Sequence, residues 1–144
     1  MTRSKRMQPV QRVAQNREQN AVQKLGQSQQ HLDAQRTRLE ELRSYRDQYA
    51  RDFELSCGSG LGAARIQDYR VFLNRLSEAI RQQETLLEQC CSQHEQTRQQ
   101  WVETHTHSQA IDKVVHRYRR DEDRQQERKE QQEQDERAQR STKK

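Results

Sequence analysis

The chain has 144 residues, of which 28% are hydrophobic and 34% charged, with a formal net charge of +5 and a mean hydropathy of −1.50. A compact domain of this length buries roughly 68% of its unfolded surface, which needs far more apolar area than this chain owns. What survives is a disordered polar chain, or helices whose core is a narrow stripe, and with only four glycines and one proline the composition argues against disorder.

Residues 1–12 carry Arg3, Lys5, Arg6 and Arg12 with no acid, residues 13–118 balance at 14 basic against 14 acidic, and residues 119–144 hold nine basic and eight acidic. A nucleic-acid binder concentrates positive charge along one face. Here only the first dozen residues do so, and nucleic acid is not an expected partner. Residues 1–11 lack the apolar segment of a secretory signal. No run of about 18 apolar residues marks a membrane span. The expectation is a cytosolic protein that reaches a membrane only through a partner, without direct insertion.

Pro9 suits the first turn of a helix, where a missing N–H costs nothing. A first helix is predicted over about 5–56. Its apolar seam begins at Met7, Val10 and Ala14. It continues through Ala21, Leu25, Ser28, Leu32, Gln35, Leu39, Leu42, Arg46, Tyr49 and Phe53 at 4-3 spacing. That is a coiled-coil seam, with a phase slip around Arg17 and Ala21. Cys57-Gly58-Ser59-Gly60-Leu61-Gly62 then breaks the pattern. Glycine costs about 1 kcal/mol in a helix interior and readily takes positive φ, so three at alternate positions predict a turn over 57–62.

A second helix is predicted over about 63–138, frayed at its end. Its seam runs Ile66, Tyr69, Leu73, Leu76, Ile80, Gln83, Leu87, Cys90, His94, Thr97, Trp101, Thr104, Ser108, Ile111, Val115, Tyr118, Glu122. Folding the seams about Ser59 sets Tyr49 against Tyr69, Leu42 against Leu76, Gln35 against Gln83, Leu32 against Leu86 or Leu87, Ser28 against Cys90, and Met7 against Ile111. No insertion is needed. The fold class is therefore all-α: a long two-helix antiparallel coiled-coil hairpin, one domain over 1–144, its second helix longer than its first. An arm of about 50 residues would be ~75 Å long. The second helix outruns it beyond about Ile111. The overhang 119–144 has one apolar residue, Ala138, and alone in water is expected to form a frayed or disordered helix that a partner could order.

Catalytic chemistry finds no foothold. Phosphate loop, nucleophile elbow and HExxH are all absent from the sequence. His105 and His107 point to different faces of a helix. Cys57, Cys90 and Cys91 show no CxxC spacing and fit reduced thiols. The chain is expected not to be an enzyme, with no catalytic residue, no cofactor and no metal.

One surface feature stands out beside the seam. Leu42-Tyr45-Tyr49 and Tyr69-Phe72-Leu76-Ala79 form apolar stripes at i+3 and i+4 that lie side by side in this register. Such a patch either stiffens the end of the hairpin or docks a protein partner.

The series LRSYRDQYARDF, the glycine turn, IQDYRVFLNRLSEAIRQQ, Trp101 and the late KEQQEQDERAQR resemble the FliJ family over nearly the whole chain. Arg137 departs from a late motif that is often apolar. The resemblance implies a cytoplasmic component of the flagellar type III export apparatus, peripheral at the inner face of the membrane and needed for flagellum assembly. It implies a coiled-coil stalk that joins a hexameric export ATPase to the transmembrane export gate protein and handles export chaperones. The end carrying the helix termini would enter the ATPase ring. The resemblance also assigns gate binding to Leu42, Tyr45, Tyr49, Phe72, Leu76 and Ala79. The alternative reading is an export chaperone or escort that binds substrates or cargo chaperones.

Overall fold

The computed structural model describes residues 1–60 and 62–143. They form two helices, α1 (Arg3–Gly58) and α2 (Ala63–Thr142), with no strand among the described residues. The helices pack antiparallel as a helical hairpin. The chain divides into a turn unit, Gln23–Gln99, and a terminal unit, Met1–Val22 with Gln100–Lys144.

The turn follows from its glycines. Ser59 N and Gly60 N donate to the Ser56 and Cys57 carbonyls at 3.2 and 3.4 Å, and Ser59 Oγ donates to the Ser56 carbonyl at 2.9 Å. Gly60 sits at φ 84, in the left-handed region that a side chain makes costly. The predicted turn 57–62 includes Leu61, which lies outside the described residues.

In the turn unit the seam closes over Leu39, Leu76 and Ile80, against which Leu42, Phe72 and Leu87 pack. Leu87 is the inward member of its pair, and Leu86 is exposed. One layer along, Gln83 Nε2 donates to Gln35 Oε1 at 2.7 Å and to the Gln35 carbonyl at 3.2 Å. A buried amide is tolerated only when bonded in this way. Ser28 Oγ hydrogen-bonds His94 Nδ1 at 3.2 Å, one turn beyond the Cys90 opposite which a fold about Ser59 places it.

The terminal unit corrects the reading of the first turns of α1. Val10 is half-exposed, and Ser4, Met7, Gln11, Ala14, Glu18 and Ala21 take the inward positions. The seam has no phase slip; three of these members, Ser4, Gln11 and Glu18, are polar. Gln11 Nε2 donates to Asp112 Oδ1 at 2.8 Å, and Glu18 binds His105. Apolarity alone pulls the reading off the seam here. Met7 packs on Ala14, Ile111 and Val115.

Pro9 also departs from expectation, since α1 starts at Arg3 and holds Pro9 inside the helix. The turn before it has anchors of its own. Thr2 Oγ1 accepts from Lys5 N at 3.4 Å as an N-cap. Ser4 N and Oγ donate to the Glu122 carboxylate at 3.0 and 2.6 Å. A carboxylate at a helix N-terminus satisfies unpaired N–H groups and meets the positive end of the dipole. Pairing therefore reaches Glu122, about two helical turns further along α2 than a fold about Ser59 places the partner of Ser4. Residues 123–142 of α2 are all exposed.

Candidate protein-docking surface

The surface lies in the turn unit and is built on alternating rings. Phe53 meets Tyr69 (centroids 4.9 Å), Tyr69 meets Tyr49 (5.0 Å), Tyr49 meets Phe72 (4.4 Å), and Phe72 meets Tyr45 edge-on (6.1 Å, 77°). Tyr45 also lies 6.3 Å from Tyr49. Offset and edge-on pairs at these distances are worth about 0.5–1.5 kcal/mol each beyond their burial. The ladder therefore braces the hairpin and orients its last ring. That last ring, Tyr45, is 51% exposed. It is an apolar face held in place yet left in water.

The six residues singled out by sequence divide by depth. Tyr45, Tyr49 and Phe72 touch one another. Leu42 and Phe72 rest on the cluster that contains Leu76. Leu76 is only 7% exposed, so it supports the surface from beneath. Ala79 is half-buried, one turn beyond Leu76. Enclosure by the neighbouring rings pushes the Tyr49 hydroxyl pKa up, with the nearby Tyr69, Tyr45 and Asp68 acting in the same direction. Arg43, two residues before Tyr45 and so on another side of α1, bonds Glu84 of α2 at 3.1 Å.

A second cluster lies in the terminal unit. The His105 ring stacks on Trp101 at 5.1 Å and its Nδ1 pairs with Glu18. The bond from His105, with help from Ser108, holds the Glu18 carboxyl below the usual carboxylate range. Trp101 Nε1 is buried with no hydrogen-bond partner among the described residues. Among those residues no group of three His, Cys, Asp or Glu side chains is placed to hold a metal ion. Cys57 and Cys91 are exposed and Cys90 is buried, all as free thiols.

A family model described as Flagellar FliJ protein matches residues 3–144. The chain belongs to the FliJ family. It is thus a component of flagellar type III protein export, a structural part of that apparatus by family. No curated protein and no solved structure matches the chain. No helix among the described residues of this FliJ-family chain is long and apolar enough to cross a membrane.

One surface residue escaped the sequence reading. Leu86 is 39% exposed and follows Ala79 by seven residues, as Ala79 follows Phe72. The signal was that repeat of seven, one position off the seam. Reading Leu86 only as a rival to Leu87 for the core concealed it.

Proposed function

We propose that this FliJ-family chain is the non-enzymatic stalk that couples the hexameric export ATPase to the transmembrane export gate. It works in the cytoplasm, peripherally at the inner face of the membrane, and also meets export chaperones. The gate docks on the surface around Tyr45, with Tyr49, Phe72 and Ala79 beside it and Leu42 and Leu76 supporting it. The observation that carries this reading is Tyr45 itself, half-exposed and fixed by two ring contacts. Aromatic side chains that are already immobilised lose little entropy on docking and commonly anchor interfaces. The ATPase side rests on the terminal unit, where α2 continues past Glu122 with every described side chain exposed.

The ATPase assignment is tested by truncation after Gln125, which keeps the bonds from Ser4 to Glu122. Circular dichroism should show a folded hairpin. Stimulation of the purified export ATPase should fall at least tenfold. A truncated chain that stimulates fully would move the ATPase contact elsewhere.

A further inference from the structure

The surface around Tyr45 continues along the hairpin, and its continuation defines the chemistry of its partner. Tyr45 and Phe72 form a measured pair across the helices, 6.1 Å between rings. In an antiparallel coiled coil a step of seven residues, backward on one helix and forward on the other, reaches the next equivalent pair. One step sets Arg38 beside Ala79. A second sets His31 beside Leu86. The bonded pair Gln35–Gln83 lies between these two rungs and confirms the register locally. All these residues belong to the turn unit.

The rungs differ in character. The first is aromatic. At the second, the small side chain of Ala79 stands across from the exposed Arg38, which forms no ion pair among the described residues. The third sets the exposed side chain of Leu86 beside the exposed His31. Rungs one heptad apart are ~10 Å apart, which matches anchors at i, i+7 and i+14 of an α-helix laid along them. An unpaired guanidinium between the Tyr45–Phe72 ring pair and the Leu86 side chain calls for a carboxylate at the middle anchor.

We propose that this face of the hairpin receives an amphipathic α-helix of the partner protein, with apolar side chains at its outer anchors and a Glu or Asp at the middle one. Leu86 and Arg38 are then contact residues of the docking surface, and Arg38 selects for the acid. The inference rests on the reading that this surface docks the export gate, whose partner chemistry it specifies.

The test uses the full chain and two labelled helical peptides, with Leu at positions i and i+14 and either Glu or Lys at i+7. Fluorescence anisotropy should give at least tenfold tighter binding for the Glu peptide. Arg38→Glu should reverse that preference, and Leu86→Ala should weaken the Glu peptide at least fivefold. Both side chains are exposed, and unchanged helicity by circular dichroism verifies folding. Equal binding of the two peptides, binding to neither, or indifference to both substitutions would overturn the proposal. So would a concentration-dependent doubling of mass that Leu86→Ala abolishes, because a second copy would then occupy this face. In parallel, Tyr45→Ala, Leu86→Ala and Arg38→Glu are measured against the gate's cytoplasmic domain. Loss with Tyr45→Ala alone keeps the docking surface and sinks the extension to Leu86 and Arg38. A gate domain indifferent to all three removes the gate assignment and leaves this face to be judged by the peptides.

Discussion

The turn unit and the terminal unit solve the same two-helix packing problem with different side chains. The turn unit buries Leu32, Leu39, Leu76 and Ile80 and stacks five rings. The terminal unit buries little beyond Ala14, Ile111 and Val115, and fills other inward positions with Ser4, Gln11, Glu18 and Ser108. One seam is held chiefly by apolar area, the other by a smaller apolar cluster together with hydrogen bonds between the helices. Both units leave apolar side chains in water, Tyr45, Leu55, Val71 and Leu86 in the turn unit and Met1, Val10, Val13, Val22 and Val102 in the terminal one. What sets the turn unit apart is that its exposed ring, Tyr45, is held by the rings of Tyr49 and Phe72.

The largest expected difference between the units comes from deleting a core side chain. Leu39→Ala should cost about 2–5 kcal/mol, since Leu39 is 4% exposed and borders the central cluster. Ala14, equally buried, has only a methyl to lose. Chemical denaturation read by circular dichroism gives the size. A cost below about 1 kcal/mol for Leu39→Ala would show that the turn unit is not held by its apolar seam.

The Gln35–Gln83 amide pair sharpens the same comparison. Gln83→Leu leaves the Gln35 side-chain oxygen without its donor, and should cost about 1–3 kcal/mol. Replacing both glutamines with Leu should recover most of that loss, because no polar group is then orphaned. A double variant as unstable as the single one would mean that the layer contributes through shape.

Acid should loosen the terminal unit first. Glu18 and Glu122 have carboxyl pKa values lowered chiefly by bonds from His105 and from Ser4, respectively. A lowered folded pKa gives stability that is present above the unfolded value of about 4.5 and is lost as pH falls through the folded one. Trp101 emission reports on this unit, because the ring stacks on His105. That signal should change on acidification from about pH 5 toward pH 3, and Glu18→Gln should flatten the response. The smallest effect belongs to truncation after Gln125, which should leave the melting temperature within about 2 °C of the full chain, since the removed side chains are exposed.

How much of this was legible in the sequence depended on where apolar residues mark the seam. All seventeen positions read for α2 are buried or half-buried, because the 3-4 alternation there is regular enough to carry its polar members along. At the start of α1, Val10 and Val13 are apolar but face outward, while Gln11 and Glu18 face inward. Only their partners Asp112 and His105, a hundred or so residues away in sequence, justify those polar choices. Glu122 lay on the seam as read, but its role as the anchor for the first turn of α1 depends on an interhelix register that drifts from a simple fold about Ser59. The six surface residues were legible as stripes. Their division into exposed Tyr45 and buried Leu76 needed side-chain packing, and Leu86 needed the heptad step taken off the seam.

The central claim is that the ring ladder presents a docking surface and does not serve only as a brace. Binding of the export gate's cytoplasmic domain to Tyr45→Ala/Phe72→Ala, measured by calorimetry beside a thermal melt of the same variant, tests it most directly. The expected result is a folded hairpin, preserved ATPase stimulation, and gate affinity lowered by about 2 kcal/mol or more, roughly thirtyfold. A folded double variant that binds the gate as tightly as the unaltered chain would contradict it.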